Sequence, residues 1–348
     1  MSVVLRVADP ETDGKAIDAY VRAHRDATPF HLSAWSRAVA RGCRQENHYL
    51  IAEHGAAIVG ALPLTAVHSP LFGRALVSSA FAVGGGVLAD DEGVAKALID
   101  EAVAMAQRLT CPTLELRGGM MAVGAGWHHD ETTYLGFLRD LAADDEAELL
   151  AIPRKQRAEV RRALGFELTV ETGRAEQDRA AHHAVYSESV RNLGTPVFPR
   201  ALFEAVLDEF GDEADILTVS HGGTPIASVL SLYWRGVVMP YWGGGTAAAR
   251  QWRANDLMYY ALMNHARARG CTRFDFGRSK AGTGPAAFKH NWGFEGAPLA
   301  YAKYAAGGEA PRDINPLNPK YRMQVALWQK LPLSLANRIG PMIARGLG

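Results

Sequence analysis

The chain repeats itself, and this limits its fold more than any other feature, because a duplicated unit has to build the same strands and helices twice. The run Tyr49-Leu50-Ile51-Ala52-Glu53-His54-Gly55, followed by an apolar stretch over 58–64, matches Ile216-Leu217-Thr218-Val219-Ser220-His221-Gly222, followed by 226–232. Both read as strand, glycine turn, strand. Each copy then reaches a triple glycine, Gly84-Gly85-Gly86 and Gly243-Gly244-Gly245, after which an amphipathic helix begins. The steps from Gly86 to Leu114 and from Gly245 to Phe274 agree to within one residue, and each ends in a strand preceded by a cysteine, Cys111 or Cys271. Each half therefore reads β–β–β–α–β, with hairpins first and one crossover helix feeding a last strand. This is an α+β class built by internal duplication.

Within the second copy, Leu257, Tyr260, Ala261 and Asn264 recur at helical spacing, which predicts a crossover helix over 254–268 closed by Gly270. In Phe274-Asp275-Phe276 the alternation of a strand puts both aromatics on one face and the carboxylate on the other. Between the halves, Asp144-Asp145-Glu146 precedes Pro153 and the basic run Arg154-Lys155-Gln156-Arg157-Ala158-Glu159-Val160-Arg161-Arg162, which predicts a linker helix within 145–164 that restarts at Pro153. Arg154, Arg157 and Arg161 fall on one face of it. The expected organisation is a domain over 1–144, the linker over 145–164, a second domain over 165–310 and an amphipathic tail over 311–348. In the tail, a proline-rich turn after Pro311 precedes Tyr321 and a segment in which Val325, Leu327, Trp328, Leu331, Leu333, Leu335, Ile339 and Ile343 alternate with Lys330, Arg338 and Arg345. Pro332 and Pro341 divide it into short pieces.

Composition excludes several classes. Thirty-seven basic and 37 acidic residues cancel, so no global field recruits nucleic acid or an anionic membrane, and such a partner has to be met by a local patch. With 48% apolar and 21% charged residues in a chain of 348, a sizeable core is expected in each half. Three cysteines without a CxxC pair, and His128-His129 and His182-His183 without matching ligands, argue against a disulfide framework and a metal site. No signal-peptide core stands at the N-terminus, and no apolar run approaches the ~20 residues that cross a bilayer. The expected location is the cytoplasm, with peripheral contact to the inner membrane through residues 321–348.

The run Phe274-Asp275-Phe276-Gly277-Arg278-Ser279, the loop Gly282-Thr283-Gly284, Phe288-Lys289 and Trp292-Gly293 together resemble the C-terminal signature of the FemABX family of aminoacyl transferases. The stretch from Phe30 to Trp35, the basic helix, and the spacing of Tyr186, Arg191 and Phe203 agree with it. The segment Asn192-Leu193-Gly194-Thr195-Pro196-Val197-Phe198 and the tail resemble the FemAB subgroup associated with XrtA/PEP-CTERM exosortase systems, which travels with exopolysaccharide machinery. The resemblance implies two tandem GNAT-like (acyl-CoA N-acyltransferase-like) domains. It also implies transfer of an activated acyl or aminoacyl group to an amine on a nucleotide- or lipid-linked saccharide or peptidoglycan-like precursor. The chain departs from the family at Gly86-Val87-Leu88-Ala89-Asp90, which lacks a proline after the glycine, and in having no coiled-coil arm in the second half.

The resemblance assigns Lys289 to balance charge on the tetrahedral intermediate or leaving group, with Phe288 packing the site. Asp275 is read either as the group that orients or deprotonates the attacking amine or as a strand-end carboxylate capping the next turn. Arg278 and Lys280 stand where a phosphate-bearing substrate would be clamped. Arg191 is matched to a substrate-phosphate contact, and Tyr186, Trp35 and Arg37 complete the binding set, with Trp35 read alternatively as filling the first core. Arg154, Arg157 and Arg161 suit a nucleotide pyrophosphate or a tRNA backbone, or a solvated helix face. No tightly bound cofactor is expected. The donor is a co-substrate, aminoacyl-tRNA, acyl-CoA or acyl carrier protein. Arg253 and Asn255 stand where coenzyme A would need glycines, which disfavours it, and the triple glycines are read as a β-bulge that splays the strands. A rival expectation is a non-catalytic scaffold of polysaccharide assembly.

Overall fold

In a computed structural model, residues 3–305 and 322–348 are described. The first half runs β1 (Val4–Ala8), α1 (Gly14–Ala23), α2 (Ser33–Cys43), β2 (Glu46–His54), β3 (Ala57–Ser69), β4 (Gly73–Ser78), β5 (Leu88–Ala89), α3 (Glu92–Arg108), β6 (Thr113–Arg117), β7 (Trp127–Asp130) and β8 (Tyr134–Asp140). After α4 (Asp145–Ala151) and α5 (Arg154–Leu164), the second half runs β9 (Leu168–Gly173), α6 (Glu176–Leu193), α7 (Arg200–Phe210), β10 (Ala214–His221), β11 (Thr224–Trp234), β12 (Val237–Gly245), α8 (Ala249–Trp252), α9 (Ala254–Ala268), β13 (Arg273–Lys280), α10 (Gly284–Asn291), β14 (Gly296–Pro298) and β15 (Tyr301–Ala305). Two tail helices, α11 (Arg322–Gln329) and α12 (Leu333–Ala344), follow.

The duplication is real and longer than the sequence pattern showed: β1, α1 and α2 correspond to β9, α6 and α7, ahead of the matching hairpins and crossover helices. The hairpin glycines Gly55 and Gly222 take φ of 66° and 55°, a conformation that glycine enters without a Cβ penalty. The linker is two helices. Asp144 caps the first by accepting from the Ala147 amide, and Pro153 sits at the start of the second, where its missing N–H costs nothing. Gly270, with φ of 83°, closes α9 as expected.

The two sheets do not coincide with the two halves of the sequence. One sheet has the order β1-β2-β3-β4-β6-β15-β7, with β5 on β3, and the other β14-β8-β13-β12-β11-β10-β9. Each half thus gives its last strand to the other sheet: β8 pairs antiparallel with β13 and β14, and β15 lies between β6 and β7. The limits drawn at 144 and 165 therefore follow the sequence and not the sheets, and the limit at 310 lies outside the described residues. One core cluster is also common to both halves, joining Ile17, Trp35, Val39 and Tyr49 to Leu202, Phe203, Phe210 and Trp242.

Helices α2 and α7 meet across this shared core at Gly42, where a Cβ would stand 2.4 Å from the Leu202 Cα and 2.8 Å from its amide nitrogen. Backbone cannot yield as a side chain does. Gly42→Ala is expected to destabilise the protein by about 1–3 kcal/mol, read as a lower denaturant midpoint with unchanged slope.

The triple glycines differ between the halves. Gly85 has φ of 99° in a segment outside the strands. Gly243, Gly244 and Gly245 continue β12 in regular register with Val229, Ser228 and Ala227. The bulge is two positions before the first glycine, at Tyr241, between the Leu230↔Trp242 and Ser231↔Pro240 pairs. The glycines themselves allow close packing, since a Cβ on Gly244 would lie 2.2 Å from the Ser189 Oγ of α6.

The tail folds back on the body. Asn337 donates to the Ser187 Oγ at 3.2 Å, Gln45 to the Arg345 carbonyl at 2.7 Å, and Arg117 to the Gly348 carbonyl at 2.7 Å. No helix among the described residues is long and apolar enough to cross a membrane.

Candidate functional site

Strands β12 and β13 pair in parallel only at Val237↔Arg273 and Val238↔Phe274 and then separate. Two irregularities hold them apart: the extra residue Tyr241 in β12, and a register shift between Asp275 and Arg278 in β13, where Gly277 takes φ of 69°. The gap opens into a cavity of about 210 Å3 between the two sheets, lined by Phe30, Val83 and Gly84 of the first half and by Met239, Tyr241, Asp275, Gly277 and Tyr301 of the second. In the first half, β4 and β6 diverge in the same way after Leu76↔Leu114 and Val77↔Glu115. That gap is filled by its own chain: Val87 bridges Gly119, and a Cβ on Gly86 would fall 1.8 Å from the Gly118 carbonyl. The duplication has thus left one gap open and the other plugged.

The strand exchange builds the cavity wall. Tyr301, on the exchanged β15, donates to the Val83 carbonyl at 2.6 Å and accepts from Arg278 at 2.9 Å, while Tyr241 donates to the Phe81 carbonyl at 2.7 Å. The Arg278 guanidinium lies over the Tyr134 ring at 4.8 Å. Its tyrosine neighbours outweigh its burial and hold its pKa above the usual range.

Asp275 is the carboxyl among the residues lining the cavity. Burial pushes its carboxyl above the usual range, against the Gly277 N–H, which donates to Oδ1 at 2.9 Å, and the nearby Lys289 ammonium. A carboxyl so placed is suited to take a proton from an amine. As expected from strand alternation, Phe274 and Phe276 point away from it into the second core.

Lys289 does not line the cavity. It is 8% exposed, and its Nζ donates to the Gly277 carbonyl at 3.0 Å and the Arg278 carbonyl at 2.9 Å, lying 5.1 Å from the Phe137 ring centre. Burial lowers its pKa to about 8, with Asp275 opposing that shift. Lys289 thus holds the β13 bulge, which turns two carbonyls toward it. Phe288 packs with Tyr259 and Trp292 at 5.8 and 6.3 Å, behind the cavity wall.

The other expected site residues scatter. Trp35 is 1% exposed in the shared core, with its Nε1 donating to the Ala80 carbonyl and its ring against Phe30, which does line the cavity. Arg37 pairs with Glu209 at 2.8 Å between α2 and α7. Tyr186 is buried against His182 and Phe203. Arg191 donates to the Gln329 carbonyl of the tail, and Lys280 lies 5.5 Å from the Tyr134 ring centre. Arg154 and Arg161 are exposed on α5, and Arg157 donates to the Leu150 carbonyl. Phe30, Tyr241 and Tyr301 were missed as cavity residues. Only Phe30 carried a signal, as the start of the element that ends at Trp35.

The N-terminus of α9 is covered. Arg253 holds the left-handed conformation, φ 53°, and its Nε pairs with Glu159 of α5. Gln156 donates to the Asp256 carboxylate beside it. Burial raises Asp256 to about 6, with Glu159 adding to the shift and the Gln156 hydrogen bond opposing it. Among the described residues no group of three His, Cys, Asp or Glu is placed to hold a metal ion.

This architecture is a tandem GNAT-like fold of FemAB-like form, with its open cleft in the second lobe. Residues 152–290 match the family model of the acetyltransferase (GNAT) domain. Among solved structures the chain is similar to FemX, at 14% identity over 87% of this chain and 97% of that one, with a TM-score of 0.66. It is also similar to L-PGS from Bacillus licheniformis, at 14% identity over 94% and 99% with a TM-score of 0.57. A tandem GNAT protein from the clavulanic acid biosynthesis pathway gives 13% identity over 89% and 100%, with a TM-score of 0.56. No curated protein sequence matches.

Proposed function

We propose that the chain is an N-acyltransferase of FemAB type. It moves an activated acyl or aminoacyl group onto an amine of a nucleotide- or lipid-linked saccharide or peptidoglycan-like precursor, in exopolysaccharide or cell-envelope synthesis. The observation that carries this reading is the cavity at the β12/β13 split, with Asp275 as its carboxyl. The amine nitrogen attacks the acyl carbonyl, a C–N bond forms, and the bond to the donor's oxygen or sulfur breaks. Asp275 takes the amine proton and returns it to the leaving group. Tyr301, fixed by Arg278, and Phe30 form the walls that orient the acyl chain. Lys289 acts as a positioning residue by holding the bulge that presents Asp275 and Gly277. Arg154 and Arg161 on α5 are the proposed contacts to phosphates of the acceptor or of a tRNA.

The donor we favour is aminoacyl-tRNA. A GNAT-type use of acyl-CoA needs free backbone amides at the start of the crossover helix for the pyrophosphate, and here Arg253, Glu159 and Gln156 occupy that place. Purified protein offered charged tRNA, acyl-CoA and acyl carrier protein in competition, with an amino-sugar nucleotide as acceptor, is expected to consume only the charged tRNA. Turnover of acyl-CoA, or its displacement of the tRNA, would assign the donor to the rival GNAT-type reading.

A further inference from the structure

We infer that the outer face of the two tail helices is a docking surface for an anionic lipid bilayer, a property independent of the acyl-transfer reading. Helix α12 is seated on the body by small residues, Ala336, Gly340 and Ala344, at i, i+4 and i+8. A Cβ on Gly340 would lie 3.1 Å from Val197. The opposite face carries Leu335, Arg338 and Met342 at i, i+3 and i+7, and α11 with the residue after it carries Met323, Leu327 and Lys330 at i, i+4 and i+7. Leu335 and Met342 are 42% and 64% exposed, and Met323 and Leu327 are 74% and 61%.

The body extends the patch at both ends. Exposed Leu193 precedes Gly194, which packs on Val325 of α11, and exposed Leu71 lies in the β3–β4 turn beside Ser69, which packs on Gly346. The outer face of α11 thus reads apolar, apolar, basic along its length, and that of α12 apolar, basic, apolar.

Charge selects the occupant. Residues 322–348 contain no Asp or Glu, so the cations Lys330 and Arg338 stand among the apolar side chains without an acid from the same segment. Apolar side chains bordered by cations suit the boundary between anionic headgroups and acyl chains, where burial and attraction add. A second copy of this face would bring like charges together. The helices lie along the body, so the surface would rest on the bilayer without entering its centre.

The test is co-sedimentation of the full chain with vesicles of phosphatidylcholine alone or mixed with phosphatidylglycerol. Binding is expected only to the anionic vesicles and to fall as salt rises. Leu327→Glu with Met342→Glu is expected to weaken it by about tenfold or more, and Lys330→Ala and Arg338→Ala by about fivefold each. The exposed positions should leave the thermal midpoint unchanged, which shows that the variants fold. Wild-type protein remaining in the supernatant with both vesicles would overturn the inference. So would a concentration-dependent dimer that the glutamate variants dissociate without any vesicle binding by the wild type.

Discussion

Asp275→Asn is expected to slow acyl transfer by roughly 10²–10⁴-fold, the usual contribution of a positioned acid–base group. Asn keeps a carbonyl oxygen that can accept from the Gly277 amide, so the bulge and the cavity persist and the loss falls on the proton transfer. The pH dependence separates this role from a turn cap. In the wild type, activity should rise with pH through a carboxyl pKa above the ordinary range, since burial favours the neutral acid and the base has to be ionised. In Asp275→Asn that acidic limb should vanish. A variant with wild-type kcat and the same limb would remove Asp275 from the reaction.

Lys289→Ala is expected to be as damaging, by a different route. Two inward carbonyls, on Gly277 and Arg278, lose their donor together, at about 1–3 kcal/mol each. A lower denaturant midpoint should accompany a fall in kcat, because the same bulge places Asp275. Lys289→Met keeps most of the apolar stem and isolates the hydrogen bonds. The pKa of about 8 in the folded protein lies below the ordinary lysine value of 10.5, so the folded state sheds its proton first. Between those values the unfolded chain binds more protons, and the wild type should gain stability as pH rises through that window. The gain should be absent from Lys289→Met. Equal stability of the two proteins at every pH would sink this account of the lysine.

Much of the candidate site was hidden from the sequence because of what its residues do in three dimensions. Lys289 and Asp275 were visible as a pair of motif residues, yet which of them faces the cavity depends on a register shift in β13 that no local pattern announces. Trp35, Arg37 and Tyr186 belonged to elements matching the family, and the structure spends them on the shared core and on the α2–α7 contact. Tyr241 and Tyr301 lie 60 residues apart in sequence and meet the first half only through the hairpin bulge and the exchanged strand. The tail's two-faced pattern was plain. Which face is seated follows from where Ala336, Gly340 and Ala344 find helix α6 and Val197.

By itself the sequence determined the duplication, the hairpins, the crossover helix over 254–268 with its closing glycine, the broken linker at Pro153, and the alternation that turns Asp275 away from its aromatic neighbours. Each of these is set by contacts or dihedral preferences within a few residues, which a linear pattern records. Tertiary structure alone decided that the last strands change sheets, that one of two equivalent gaps stays open, and that a buried lysine holds the carbonyls of the β13 bulge. These outcomes depend on which distant surfaces fill a space first, and the pairing of β8 with β13 and β15 with β6 rests on long-range hydrogen bonds and shared apolar burial that no local stretch of the chain encodes.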